Sequence, residues 1–393
     1  MNTTETATKL TVWLDRQQPA MVELLREIVS IDSGSRNKPG IDAVGAAIRR
    51  FLEGHGITVE TLPQPKHGDC LRAVVPSDVG RANSARTILL MGHRDTVFPD
   101  GEVARRPFRI ENGVATGPGV ADMKAGLVMN CFVLAAFAHV GGAPGPLVGL
   151  FTGDEEVGSP EGRKVIEAEA REARVVFNSE PGRLSGNVVS GRKGGVFMLM
   201  RITGLAAHSG GNFADGISAI EELARKIQAI HALTDLDRGT TLNVGLVSGG
   251  QSVNTVAPWA EGEIDLRYIE PGDRERVMAR LEAIVGQSLV PGTTATLGIQ
   301  GEFLPLKQTD ASKRLLEIYR SAAAASGFSA AGEFTGGCAD SGFTAALGVP
   351  TICAVGPVGG KAHSPDEFLR ADSLVPRASA VVRTILGLSA GGL

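Results

Sequence analysis

At 393 residues the chain exceeds what one ordinary core organises, so two domains are expected. Hydrophobic residues at 43% and charged residues at 21% describe a soluble composition, and a net charge of −4 offers no basic face for nucleic acid or anionic lipid. The opening MNTTETATKLTVWLDRQQ has no charged-then-apolar signal pattern, and the longest apolar stretch, 127–140, is short for a bilayer span and carries Asn130 and His139. Cys70, Cys131, Cys338 and Cys353 are scattered without paired spacing, which predicts reduced thiols in a cytoplasmic protein.

In chain order, Met21, Leu24, Leu25, Ile28 and Val29 fall at helical spacing, as do Ile41, Val44, Ile48, Phe51 and Leu52. The second helix stops in Gly54-His55-Gly56, a glycine C-cap signal. ITVETL, TILLM, LVGLFT and VVFN then read as strands, with helices at 125–140 and about 160–171 between them. After Val188 the pattern changes. VFMLMRITG is a strand, 215–231 a helix, TLNVGLVSGG and AEGEIDLRYIE two strands, 273–285 a helix and TATLGIQG a last strand. This β-α-β-β-α-β order is the split, ferredoxin-like unit. From Phe303 the α/β pattern resumes. The expected organisation is a catalytic domain in two parts, 1–188 and 301–393, interrupted by an inserted domain over 189–300.

Four acidic or imidazole residues each follow an apolar run: His93 after TILLM, Glu156 after LVGLFT, Glu180 after VVFN and His363 after TICAVG. Ligands in open α/β sheets collect beyond the carboxyl ends of the strands. A fifth, Asp122, lies in GPGVADMKAG before the apolar run LVMNCFVLAAF. Two imidazoles and three carboxylates gathered on one sheet edge suit divalent metal, zinc above all. Each element alone is weak: a single histidine after a strand is more often packed or surface-exposed than a ligand. In His93-Arg94-Asp95 an extended backbone points the first and third side chains the same way, so Asp95 can hold the imidazole by its second nitrogen. In TGDEEVGS, Gly153 ends the strand, so that Glu155 and Glu156 can both face one site, one as ligand and the other taking a proton from water. Asp154 reads as solvent-facing or as a support to the ligands.

MGHRDTVFPDG, GPGVADMKAG, TGDEEVGS, NSEPG and KAHSPDE, in this order, resemble the di-zinc peptidase family of acetylornithine deacetylase, succinyl-diaminopimelate desuccinylase and bacterial glutamate carboxypeptidase. The resemblance spans nearly the whole chain. It implies an α/β catalytic domain with the metal site at strand ends and an inserted ferredoxin-like dimerisation domain. It also implies two zinc ions per subunit, with cobalt or manganese as alternatives. Asp122 would bridge, with His93 and Glu180 on one ion and Glu156 and His363 on the other. Asp95 would support His93, and Glu155 would be the general base. NSEPG and the TGG-x-x-D segment at 335–340 resemble the glutamate carboxypeptidase branch most. In the inserted domain the resemblance assigns His208 (LAAHSGG) and Asn254 (VNTVAP) to the active site of a partner subunit in a homodimer, with Arg267 (DLRY) on the substrate carboxylate. Lys193 (GRKGG) and Gly337 complete the expected substrate-binding set.

Two departures bear on the substrate. The branch carries a basic residue in the strand leaving the inserted domain, where this chain reads LGIQGEFLP with Glu302. TGGCADSGF also has Cys338 where a small residue is more usual. The expected function is therefore hydrolysis of the amide bond of an N-acyl or peptidyl amino acid with a free carboxylate. An acetylornithine deacetylase-like deacylase is the near alternative, and a non-catalytic binding relative the distant one. No G-x-S-x-G supports a serine hydrolase, and Asp122 occupies the third glycine of a dinucleotide fingerprint.

Overall fold

The apolar runs become the middle of an eight-stranded sheet in the order Thr58–Leu62, Cys70–Val75, Leu147–Thr152, Thr87–His93, Ala173–Asn178, Thr351–Cys353, Val188–Arg192 and Gly332–Thr335. This computed structural model describes residues 3–78 and 86–388. Thr87–His93 runs parallel to Leu147–Thr152 and to Ala173–Asn178, and Thr351–Cys353 runs parallel to Ala173–Asn178. Four strands thus end on the same edge; His93 ends one, Glu156 and Glu180 closely follow two others, and His363 lies ten residues beyond the end of the fourth. Parallel strands need both faces covered, which explains why these runs are apolar throughout rather than alternating.

The cover is helical. Gln18–Val29 buries Met21, Leu24, Leu25, Ile28 and Val29, and Lys38–Gly54 buries Ile41, Val44, Ile48 and Leu52. Asn37 caps the second helix by accepting from the Gly40 N–H, and Gly56 follows it with φ of 75°. Ala125–His139 is buried on nearly every side, so its uniform apolarity belongs to the core. Asn130, polar in that helix, accepts from the Ser179 hydroxyl at 2.7 Å and donates to the Met91 carbonyl at 3.3 Å. It thereby ties two ligand-bearing segments to the core. A Cβ at Gly126 would collide with the Ser179 carbonyl, so only glycine admits this approach.

A small antiparallel sheet, Gly359–Gly360, Phe368–Arg370, Val114–Thr116 and Arg109–Glu111, joins the remaining ligand segments. His363 sits between its first two strands, and the Asp122 loop follows its third.

The chain divides into two units. One comprises the described residues of Met1–Gly191, Leu306–Thr335 and Ala339–Leu393, and the other Arg192–Pro305 with Gly336–Cys338. Sequence patterning puts the boundaries at 188/189 and 300/301. The units instead divide where Val188–Arg192 belongs to the large sheet and Gly194–Thr203 to a second one. That second sheet, in the order Thr241–Gly249, Trp259–Tyr268, Gly194–Thr203, Thr294–Phe303, is fully antiparallel. With Ala219–His231 and Pro271–Gly286 it forms the β-α-β-β-α-β unit. The first helix begins at 219 rather than 215 because Ser218 caps it, accepting from the Glu221 N–H.

Candidate metal centre

All five expected ligands converge. Two triads of potential donors form, His93–Asp122–Glu180 and Asp122–Glu156–His363, each with its ligand atoms within 4.8 Å of one another, and Asp122 belongs to both. His93 Nε2 lies 3.4 Å from Asp122 Oδ1 and 3.8 Å from Glu180 Oε1. His363 Nε2 lies 3.4 Å from Asp122 Oδ2 and 3.2 Å from Glu156 Oε2. Glu155 Oε2 stands 3.8 Å from His93 Nε2, beside the donors but outside both triads.

The surrounding residues fix this geometry. His93 Nδ1 faces the Asp95 backbone carbonyl at 3.0 Å and the Asp95 carboxylate at 3.3 Å, so Asp95 orients the imidazole mainly through its main chain. The Asp95 carboxylate has another task. It accepts the backbone N–H groups of Glu155 and Glu156, each at 3.1 Å, and the Ser35 hydroxyl at 2.7 Å. One buried carboxylate therefore sets the positions of a ligand histidine and of the whole Glu155–Glu156 pair. Buried Glu367 does the same for Asp122: its carboxylate accepts the N–H groups of Gly119, Ala121 and Asp122 at 3.0, 2.8 and 2.9 Å. Four residues before it, His363 adopts a φ of 61°, in a loop to which the Arg106 guanidinium donates at Pro365, 3.0 Å away.

Charge crowds the site. Burial pushes the Glu155 carboxyl well above its ordinary value, with His93 opposing and Glu180, Asp340 and Glu156 reinforcing the shift. Burial also raises Glu156. Asp340, beneath the site and hydrogen-bonded by Ser159, is pushed up to about 8 by burial. Asp122 goes the other way: against its burial, hydrogen bonds from His363 and His93 hold it below the usual range. Both imidazoles are raised. His93 is raised despite its burial by the carboxylates around it, and His363, by hydrogen bonds to Asp122 and Glu156, reaches about 10. Glu156 Oε1 is buried without a hydrogen-bond partner. An excess of buried carboxylates, an orphaned oxygen and a nitrogen-and-oxygen donor set fit a divalent cation.

Asp154 corrects the solvent-facing reading. It is 1% exposed, and its carboxylate accepts the N–H groups of Glu161 and Gly162 at 2.7 and 2.8 Å, anchoring the start of helix Gly162–Glu172. Glu367, Ser35 and Ser159 were not singled out from sequence. Glu367 is the last letter of KAHSPDE, and its position four residues after a ligand was the only signal available.

The remaining candidates lie in the second unit, in two groups. His208 and Asn254 are neighbours: Ser209 N donates to the Asn254 carbonyl at 3.0 Å, and His208 bridges to Thr255. His208 is exposed, and its Nδ1 accepts from the N–H groups of Gly210 and Gly211 at 3.1 and 3.0 Å. With Nδ1 engaged as an acceptor, Nε2 is the ring nitrogen left to donate. Arg267 and Gly337 form the second group with Arg192, which donates to the Gly337 carbonyl at 3.2 Å. Arg267 is not an open fork. Its Nε and Nη2 donate to Asp265 at 2.7 and 3.1 Å, and Nη1 donates to Cys338 Sγ at 2.7 Å. Lys193, adjoining this group, donates to the Gly239 carbonyl at 2.6 Å.

The chain matches the model of peptidase family M20/M25/M40 over residues 89–387. It is 28% identical to carboxypeptidase G2 of Pseudomonas sp. (strain RS-16) over 384 residues, covering 95% of this chain and 91% of that one. In fold it resembles the aminopeptidase PepT of Bacillus cereus, with TM-score 0.74 and 24% identity over 95% of this chain and 99% of that one. It also resembles the M20 metallo-carboxypeptidase Sso-CP2 of Sulfolobus solfataricus, with TM-score 0.76 and 18% identity over 93% and 98%. With its donor cluster in place, the chain belongs to peptidase family M20/M25/M40 and is a hydrolase of peptide or amide bonds that uses a divalent metal.

Proposed function

We propose that the chain is a di-zinc hydrolase that releases an amino acid with a free carboxylate from an N-acyl or peptidyl amide. The observation that carries this reading is the pair of triads sharing Asp122, with Glu155 beside them. His93, Asp122 and Glu180 would hold one ion, and Asp122, Glu156 and His363 the other. Bound zinc supplies a Lewis acid and makes water acidic enough to ionise near neutrality. Glu155 takes the proton from the attacking water and returns it to the leaving amine. His208 offers its Nε2 proton to the carbonyl oxygen as negative charge develops there, because Nδ1 is already occupied. Arg267, Lys193, Asn254 and Gly337 are assigned to the leaving amino acid.

His208 and Arg267 stand at opposite ends of one strand. Arg267 pairs with Gly195 at the start of Gly194–Thr203, while His208 follows the strand's far end. Eight residue steps separate Gly195 from Thr203, about 26 Å of strand. One substrate reaches both residue types most simply when they come from different chains. The outer strand Thr241–Gly249 also exposes Leu246 and Val247, at 64% and 61%, on an edge with no strand partner among the described residues. We therefore propose a homodimer with His208 acting in trans, located in the cytoplasm, where its four free thiols would persist.

A second reading is favoured at one position. Glu302 pairs with Arg274 where the glutamate carboxypeptidase branch carries a basic residue, which favours a deacylase acting on amino acids other than glutamate. Turnover of a panel of N-acyl amino acids and dipeptides, as free acids and as carboxamides, tests both readings. Equal turnover of acids and amides overturns the carboxylate requirement. Mixing Glu155→Gln with His208→Ala chains tests the trans assignment. Restored activity supports it, and no recovery after proven subunit exchange removes it.

A further inference from the structure

The turn that carries Glu155 and Glu156 is closed by its own backbone: Gly158 N donates to the Glu155 carbonyl and Ser159 N to the Asp154 carbonyl, each at 2.8 Å. Its front is held by Asp95, which accepts the N–H groups of Glu155 and Glu156. Its rear is held at Ser159, whose hydroxyl donates to the Asp340 carboxylate. Ser159 has a φ of 53°, in the left-handed region where a Cβ is costly and glycine is the favoured residue. It is also fully buried, so its hydroxyl depends on a protein partner. The contact with Asp340 is what offsets both costs.

Asp340 is anchored in the core rather than on another loop. It is buried, its carbonyl accepts Phe343 N at 3.0 Å, and the short helix Ser341–Ala346 that follows it buries Ser341, Gly342, Phe343 and Thr344. The two segments meet again where Arg163 N donates to the Ser159 carbonyl at 3.1 Å and the Arg163 guanidinium lies 4.8 Å from the centre of the Phe343 ring. The two glutamates depend on this anchor unequally. Glu156 belongs to a donor triad, so a bound ion and His363 would hold it. Glu155 lies outside both triads, so the placing of its carboxylate follows the backbone of the turn. A general base must stand within hydrogen-bond reach of the proton it takes, and a misplacement of about 1 Å can cost on the order of 10²-fold in rate.

We propose that Ser159 and Asp340 are positioning residues for the hydrolytic reaction: their contact fixes the rear of the turn and thereby the reach of Glu155. This deepens the hydrolase reading and rests on its assignment of Glu155 as the base.

A serine that served the fold alone would show its loss in Tm and leave the kcat of the folded, metal-loaded enzyme unchanged. The positioning role predicts instead that Ser159→Gly, which also relieves the left-handed backbone, lowers kcat by about 10–100-fold with KM within about twofold and metal content unchanged. Ser159→Ala and Asp340→Ala should repeat the loss. Asp340→Asn keeps an acceptor oxygen for the hydroxyl and should restore most of the rate. In a Glu155→Gln background Ser159→Gly should cost nothing further, because the contact acts through the base. Native kcat in Ser159→Gly, or its full loss added to that of Glu155→Gln, overturns the assignment. Backbone hydrogen exchange of the metal-loaded protein supplies a readout independent of turnover. The amides of 155–159 should exchange faster in Asp340→Ala, whose turn sequence is native, and unchanged exchange overturns the anchor. If Glu155→Gln itself keeps native kcat, the base reading fails on that variant alone, while faster exchange in Asp340→Ala still supports the hold on the turn.

Discussion

The two histidines of the metal centre are held in opposite ways. His93 ends a central strand with its side chain 2% exposed, its second nitrogen satisfied by Asp95 and its neighbours fixed by Asn130 and Ser179. His363 occupies a hairpin loop with its side chain 53% exposed and a backbone in the left-handed region that a non-glycine residue rarely adopts. The difference separates a donor triad set in the packed core from one that depends on an exposed loop residue. Core packing places the first triad, whereas His363 depends on a loop held by Arg106 and Glu367.

The sharpest way to break this contrast is to remove ligands. Asp122→Ala should abolish activity and metal content together, because both triads lose a member. His363→Ala should retain about one ion per chain, and His93→Ala should bind neither ion well. Metal analysis after desalting, followed by calorimetric titration, reads this directly. Equal stoichiometry in the two histidine variants would show that the halves are equivalent.

The next effect separates chemistry from binding. Glu155→Gln should keep its metal and lose about 10²–10⁴-fold in kcat, the usual contribution of a positioned base. Glu156→Gln should lose metal instead. Exchanged phenotypes would reverse the assignment within the pair.

Support residues should cost less. Glu367→Gln and Asp95→Asn leave every ligand in place but weaken the grip on backbone N–H groups. Metal affinity should fall by roughly 10–100-fold in each, as for other groups that orient ligands. By the same contrast, Glu367→Gln should affect mainly the second equivalent of metal if the loop is the weaker half. A uniform loss of both equivalents would count against that.

The mildest effect is the pH dependence. Metal ligation needs neutral imidazole, and in the metal-free chain His363 is protonated below about 10. Each ion taken up near neutrality should therefore release protons, and affinity should fall as pH is lowered. Calorimetry in two buffers of different ionisation enthalpy measures the proton count, and no release would mean that His363 is not a ligand.

Much of this candidate centre was legible in the sequence because His93, Glu156 and Glu180 end or closely follow buried parallel strands, and a buried strand leaves an apolar run, whereas His363 comes later, between Gly359–Gly360 and Phe368–Arg370. The same logic located the inserted unit from a change in patterning. What stayed hidden has a common cause. Asp154 and Glu367 bind backbone N–H groups, which every residue carries, so nothing at positions 161 and 162 or 119–122 advertises the partner. An acidic residue in a turn then reads as solvated. Arg267 was legible as a cation, but Asp265, two residues away on the same strand face, already engages it, and Cys338 arrives from a segment distant in sequence.

In the second unit, Gly195, near the start of its first strand, and Phe303, at the end of its last, are paired neighbours on adjacent antiparallel strands. Paired residues on such strands lie about 4.5–5.5 Å apart, a gap that two or three glycines span. Segment 196–302 is in effect a plug with both leads at one point. Excising 196–302 and closing the gap with a short glycine linker should leave a chain that still folds its parallel sheet and binds metal, while exchange with the same module from a relative becomes a route to new selectivity without touching the ligands.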